Sequence, residues 1–208
     1  MRESPSLETA STTNPNQHLV RQGSSSMPIP TAPSLDVRWC TDPSRAQELA
    51  QFFVANITPD YISHSELQGD RALDIGKWQP GLADIVAREI KGRVAEYRDA
   101  TIANVATSFP VLEARSDGQL VGIALISFFR DAPVPYSILE DIAVEEANRE
   151  RGFGKAIVDW VSREAEVLGC ARLFLESGVS NHRAHELFER QGFSTCSIVM
   201  MKRLNPQS

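Results

Sequence analysis

A strand-like run, Leu139-Glu140-Asp141-Ile142-Ala143-Val144, passes through Arg149-Glu150-Arg151-Gly152-Phe153-Gly154-Lys155 into the most regular amphipathic stretch of the chain. A strand that turns on glycines into a helix demands a layered fold, because the strand must pair and the helix must cover the sheet it leaves. The same turn suits an anion. Gly152 and Gly154 carry no Cβ, so phosphate oxygens can approach the backbone N–H groups, and the helix N-terminus adds about half a positive charge. Arg149, Arg151 and Lys155 add mobile cations. Spacing excludes two well-known phosphate loops. A P-loop needs Gly where Arg149 stands and Ser or Thr where Ala156 stands, and a dinucleotide fingerprint needs Gly at Ile157 and a β-α-β unit opening the chain.

Hydrophobic periodicity supplies the rest of the fold. Leu35, Val37 and Trp39 alternate as in a half-buried strand. Asp42-Pro43 offers a helix start, followed by Ala46, Leu49, Ala50 and Phe53 at helical spacing. Residues 57–80 read as an irregular loop with short helical turns, and Leu82, Ile85, Val86, Ile90, Val94 and Tyr97 mark a second helix. Two apolar strands, 109–114 and 119–129, meet at Asp117-Gly118, a dipeptide suited to a tight hairpin. A strand at 137–144, a helix over about 152–168, a strand at 172–177, a short helix over 181–191 and a closing strand at 196–204 complete the order β-α-α-β-β-β-α-β-α-β. This is an α+β domain, a mixed sheet with helices on its faces, over residues 35–208. Residues 1–34 contain 16 Ser, Thr or Pro and no period, and are expected to be a disordered tail.

Composition narrows the function classes. With 21 Lys and Arg against 27 Asp and Glu, the net charge of −6 argues against a nucleic-acid or anionic-membrane partner and favours a cationic ligand. No apolar run approaches the roughly 20 residues of a membrane span. Cys40, Cys170 and Cys196 form no disulfide or zinc pattern, the four His are scattered, and no signal peptide is read. The expectation is a cytoplasmic protein without a metal.

Arg149-x-x-Gly152-x-Gly154 after Leu139–Val144 resembles the acetyl-CoA pyrophosphate motif of the GNAT superfamily of N-acyltransferases. Asn181-x-x-Ala184-x-x-x-Phe188-x-x-x-Gly192-Phe193 resembles that superfamily's helix-and-strand motif beside the pantetheine arm. The resemblance implies a single GNAT-like domain with a central twisted, mostly antiparallel sheet and splayed parallel strands. It implies acetyl-CoA as co-substrate, held by the backbone of Ile142, Ala143 and Val144, by the turn from Arg149 through Arg151, Gly152, Phe153, Gly154 and Lys155, and by Asn181 and Phe188. Glu140-Asp141 is similar to the small-amine branch, the spermidine/spermine and glucosamine-phosphate enzymes, and the segment from Ala184 is similar to aminoalkylphosphonate N-acetyltransferases. Where the superfamily usually has a tyrosine that protonates the departing thiolate, this chain has Phe188, which has no hydroxyl to donate.

The expected reaction is acetyl transfer to the primary amine of a small molecule: a polyamine, amino acid, amino sugar or amine-bearing toxin. An alkylammonium has a pKa near 10.4 and must lose a proton before it attacks. Glu140 is the candidate general base through water and Asp141 a helper that orients the cation, the two facing opposite sides of the strand by alternation. The N–H of Val144 is the implied oxyanion donor. Tyr136 and His185 are the leading donors to the thiolate, ahead of Ser180, Cys196 and water. Tyr61 and His64 are candidates for the acceptor pocket. Protein lysine or N-terminal acetylation, and an acetyl-CoA-binding regulator without turnover, are the alternatives. A homodimer is the open expectation for assembly.

Overall fold

The computed structural model describes residues 35–103 and 106–204, without the side chains of 99–103; the expected tail at 1–34 lies outside the described residues. A six-stranded sheet forms the centre. β1 (Leu35–Trp39), β5 (Val111–Ser116), β6 (Gln119–Phe129), β7 (Tyr136–Val144) and β8 (Arg172–Leu175) lie side by side in that order, and β4 (Thr107–Ser108) pairs with β6. All these pairings are antiparallel except β7 with β8. The β5–β6 hairpin turns at Asp117 and Gly118, both at positive φ (50° and 79°), as that dipeptide predicts.

One face of the sheet is covered by α1 (Ala46–Ala55) and α3 (Leu82–Ala103). Leu49, Ala50 and Phe53 of α1 and Val86, Ile90 and Val94 of α3 pack on Val111, Ile123, Leu125 and Ala143. The spacing of 3 and 4 residues places these side chains on one stripe of each helix. Asp42 accepts the Ser44 N–H (2.9 Å) and caps a 3-10 turn, Pro43–Arg45, that leads directly into α1. The other face is covered by α4 (Phe153–Val167) and α5 (His182–Arg190). Phe153, Ile157, Val161 and Phe188 pack on Leu112, Ala124, Ile126 and Leu139. Burying each such side chain contributes about 1.5–3 kcal/mol. Between α1 and α3 the chain forms α2 (His64–Gln68) and a small hairpin, β2 (Ala72–Asp74) with β3 (Lys77–Trp78). No helix among the described residues is long and apolar enough to cross a membrane.

Two sequence expectations are corrected. The closing strand at 196–204 does not form: this segment has no ladder in the sheet and its residues are exposed, because β8's outer edge stays unpaired while the segment runs toward the hairpin, where Arg203 pairs with Asp74. Glu140 and Asp141 do not face opposite sides. Leu125 of β6 pairs with Asp141 and Ile126 with Leu139, so Glu140 is an extra residue bulged from the ladder. The bulge cancels one alternation, and both carboxylates turn toward arginines on the α1/α3 side of the sheet.

Candidate active site

Beyond the last paired residues, Leu139 and Leu175, β7 and β8 diverge. Their divergence opens a pocket of about 690 Å³, lined by Leu139, Glu140 and Ile142 to Val144 of β7, by the turn into α4, by Leu175, Glu176 and Ser177, and by one side of α5.

At one end is the glycine turn. Gly152 has φ +84°, a left-handed conformation that side chains with a Cβ adopt only at a cost. The first bond of α4 runs from the Ala156 N–H to the Gly152 carbonyl (2.9 Å), so the N–H groups of Phe153, Gly154 and Lys155 point past the helix start. Arg149, Lys155, Arg183 and Arg190 line this end. Arg149 also donates to the Asn56 carbonyl (2.6 Å), which ties the turn to the end of α1. Arg151 and Phe153 do not line the pocket: Arg151 donates to Asn148 and lies over the Phe153 ring (5.1 Å), and the ring itself is buried in the core.

In the middle, the backbone of β7 decides what is offered. The Glu145 N–H closes onto the Val121 carbonyl (3.0 Å), so the N–H groups of Ile142 and Val144 face away from β6, toward the gap. Tyr61 Oη accepts the Ile142 N–H (3.1 Å) and donates to Asp141 (2.9 Å). Of the three residues expected to offer backbone donors, Ile142 is therefore engaged, Ala143 faces β6, and Val144 alone presents its N–H to the pocket.

At the other end are carboxylates. Glu140 lines the pocket with about 30% of its side chain exposed, accepting from Arg93 on one oxygen and Ser127 on the other. Asp141 does not line it. It is 2% exposed and bonded to Arg71 (2.8 Å) and Tyr61. Burial pushes the Asp141 carboxyl up, with Arg71 pulling it back. Burial opposes the Arg71 charge, but Asp141 and Glu89 outweigh it and hold the guanidinium above its ordinary value. Glu89 accepts from both Arg71 (2.5 Å) and Arg93 (2.9 Å) and so joins the two carboxylates through two arginines. Burial and Asp141 push the Tyr61 hydroxyl well above the usual phenol value, so it stays a donor. Its ring packs against Phe53 (5.6 Å) and Trp78 (6.4 Å).

A short segment closes this end. Gly178 passes so near residues 60–62 that a Cβ there would lie 2.2 Å from the Asp60 carbonyl oxygen. His64 Nδ1 lies 2.9 Å from Glu176, joining α2 to the chain beyond β8; His64 thus supports the wall without lining the pocket.

Asn181, Phe188 and Tyr61 line the pocket, whereas Tyr136 and His185 do not. Tyr136 stacks on Phe129 (4.8 Å) and meets Phe174 (5.8 Å), at the opposite end of β7 from Val144. His185 meets His182 edge to face (6.1 Å). Ser180 and Cys196 are exposed and also lie outside the lining. One residue that the sequence did not single out is Ser177, whose hydroxyl is buried in the pocket wall without a hydrogen-bond partner. Its only sequence signal is its place just past β8. Among the described residues, no cluster of three or more His, Cys, Asp or Glu is placed to hold a metal ion.

Residues 81–193 match the profile of the acetyltransferase (GNAT) family. The fold is similar to that of the aminoglycoside N-acetyltransferase AAC(6')-Iy solved in complex with CoA, at 18% identity and TM-score 0.57, over 84% of this chain and 97% of that one. It is also similar to an aminoglycoside antibiotic 6'-N-acetyltransferase from Acinetobacter baumannii (14%, TM-score 0.57, 84% and 100%). A ribosomal-protein-alanine N-acetyltransferase from Brucella melitensis biovar Abortus 2308 matches at 17% and TM-score 0.55, over 82% and 100%.

Proposed function

The chain belongs to the acetyltransferase (GNAT) family, and on that premise we propose that it transfers the acetyl group of acetyl-CoA to a primary amine of a small molecule. The observation that carries this reading is the polarity of the pocket. Four cationic side chains and a helix start, with a single carboxylate, Glu150, paired to Arg183, lie at one end, Glu140 and Glu176 at the other, and the Val144 N–H lies between. Glu140 and Val144 are about 13 Å apart along the strand at roughly 3.3 Å per residue.

The glycine turn would hold the pyrophosphate and the gap beside Val144 the pantetheine arm. A cationic amine is drawn to the carboxylate end. Glu140 has four lone-pair sites and Arg93 and Ser127 occupy two, which leaves room for the water that relays the amine's proton. The neutral nitrogen attacks the thioester carbon, and the Val144 N–H bonds the oxyanion that forms. As the C–S bond breaks the electron pair stays on sulfur, the second proton of the acylated nitrogen passes through water to the thiolate, and the proton held at Glu140 is released to solvent, leaving the neutral amide and the free thiol. Ser177 has a hydroxyl in the wall that no protein group engages, and on rotation about its Cα–Cβ bond it would turn into the pocket and donate a hydrogen bond to the leaving sulfur where Phe188 has none to give.

The similar aminoglycoside enzymes support an amine on a small molecule, and the contact of Gly178 with residues 60–62 supports a closed acceptor end. The test is calorimetric titration with acetyl-CoA followed by an acceptor screen scored by thiol release. Failure to bind acetyl-CoA removes the assignment. Binding without turnover on any amine makes the protein a regulator, and turnover confined to peptides makes the acceptor a protein.

A further inference from the structure

We infer that Glu150 competes with the pyrophosphate of acetyl-CoA for the Arg183 guanidinium, and so limits how tightly the cofactor is held. The inference rests on the reading of the glycine turn as the pyrophosphate site, and adds to that site a carboxylate that works against the ligand.

Every cation at the phosphate end has a carboxylate near it, but the four pairs are not alike. The carboxylates beside Arg149, Lys155 and Arg190 stand three or four positions from them in the chain, and none of the three lines the pocket. Glu150 does line it, as does its partner Arg183, and the two meet at 2.5 Å. This pair joins the glycine turn to the first turn of α5, 33 positions further along the chain. Among the described residues Glu150 is therefore the one carboxylate that a phosphate group entering this end would meet.

The backbone holds Glu150 there against its own preference. Its φ is +69°, in the left-handed region, and Glu lacks the short polar side chain that lets Asn and Asp visit that region. Glycine takes the conformation freely, as Gly152 does two residues later. The pair itself is weak and exchanges readily, because 82% of the Glu150 side chain and 61% of the Arg183 side chain are open to water. A pyrophosphate seated on the N–H groups of Phe153, Gly154 and Lys155 offers Arg183 more negative charge than one carboxylate does. The guanidinium then turns to the phosphate, and Glu150 is left beside it as a like charge. Repulsion across a few ångströms in so exposed a site weakens binding by about 5–10-fold. Acetyl-CoA and CoA carry the same pyrophosphate, so the carboxylate acts on both alike.

The experiment is calorimetric titration of the full chain with acetyl-CoA, CoA and inorganic pyrophosphate in turn, for the wild type and for Glu150→Gln, Glu150→Gly and Arg183→Gln. Glu150→Gln should bind all three about 5–10-fold more tightly, and the gain should fade as salt is added. Glu150→Gly should match it within about twofold, and Arg183→Gln should bind at least about 5-fold more weakly than the wild type. Four results overturn the proposal. A Glu150→Gln variant that binds no tighter makes the pair a surface contact without a role. One that binds more weakly makes Glu150 the residue that positions Arg183 for the phosphate. A gain with Gly but not with Gln makes the backbone of the turn the cause, and unchanged affinity in Arg183→Gln removes the arginine from the site. If the wild type binds pyrophosphate but not acetyl-CoA, and Glu150→Gln tightens the former, the cofactor reading falls and the competition for Arg183 stands. If no titrant binds, both fall.

Discussion

Glu140 and Asp141, neighbours on β7, turn to the same side of the sheet, and each is held by an arginine that also pairs with Glu89. The bulge that brings them there separates their tasks: Asp141 is sealed behind Tyr61, and Glu140 is left at the pocket wall. A regular ladder would have sent one of them to the α4 face.

Glu140→Gln keeps size and polarity but cannot accept the amine's proton. Turnover at pH 7 should fall by about 10²–10⁴ with acetyl-CoA affinity unchanged. The variant's rate should go on rising with pH after the wild type has levelled off, because more of the amine is then neutral in solution. A full pH profile of kcat and kcat/KM checks this, and equal activity across pH would make Glu140 structural.

Glu89→Gln tests the network through stability. Burial acts to raise the Glu89 carboxyl, but Arg71 and Arg93 outweigh it and hold it below the ordinary value of 4.5. The unfolded chain therefore takes up the proton first as the solution is acidified. The contribution of Glu89 is fully present above about pH 4.5 and is lost as pH falls through its lower folded value. The variant should be about 2 kcal/mol less stable at pH 7, with the deficit shrinking in more acid solution, as read by urea unfolding. A deficit independent of pH would count against the charge pairing.

Gly154→Glu places a carboxylate where the pyrophosphate would sit. The added Cβ meets only the end of Leu187 at 3.2 Å and Val144 at 3.8 Å, so the fold should survive while acetyl-CoA affinity collapses. Calorimetry with a folded variant decides the outcome. Unchanged affinity would move the cofactor elsewhere.

Ser177→Ala should lower kcat by about 10–100-fold, the worth of one hydrogen bond to a charged group, with acetyl-CoA affinity unaltered. Adding Phe188→Tyr to that variant should recover most of the loss by supplying a hydroxyl from α5. If the double variant is no faster than Ser177→Ala alone, the leaving sulfur does not depend on either side chain.

Much of this fold is legible in the sequence because its signals are local. The 3.6-residue period at Leu82, Val86, Ile90 and Val94, the Asp117-Gly118 turn and the start at Asp42-Pro43 each state one element without help from distant residues. The phosphate turn is legible for the same reason. The bulge at Glu140 is not, since it is a mismatch of register between β6 and β7 and no residue of either strand announces it. Arg71, Glu89 and Arg93, some 50–70 positions upstream of the carboxylates they meet, look in the sequence like ordinary surface charges. Ser177 is silent because its interest lies in the partner it lacks. The segment at 196–204 carries the pattern of a strand, but pattern alone does not supply the neighbouring strand that a ladder needs.

The placing of the tryptophans gives the molecule its own optical probe. Trp39 of β1 and Trp160 of α4, both half-buried, lie together at 4.6 Å against the core, whereas Trp78, the third of three, packs on Tyr61, which lines the pocket near its carboxylate end. An amine settling beside Glu140 would reach Trp78 only through Tyr61, which lines the pocket between them, and would leave the half-buried pair as they were. Quenching of the emission on addition of an acceptor, absent in a Trp78→Phe variant, would therefore report occupancy of that end alone, without label or turnover.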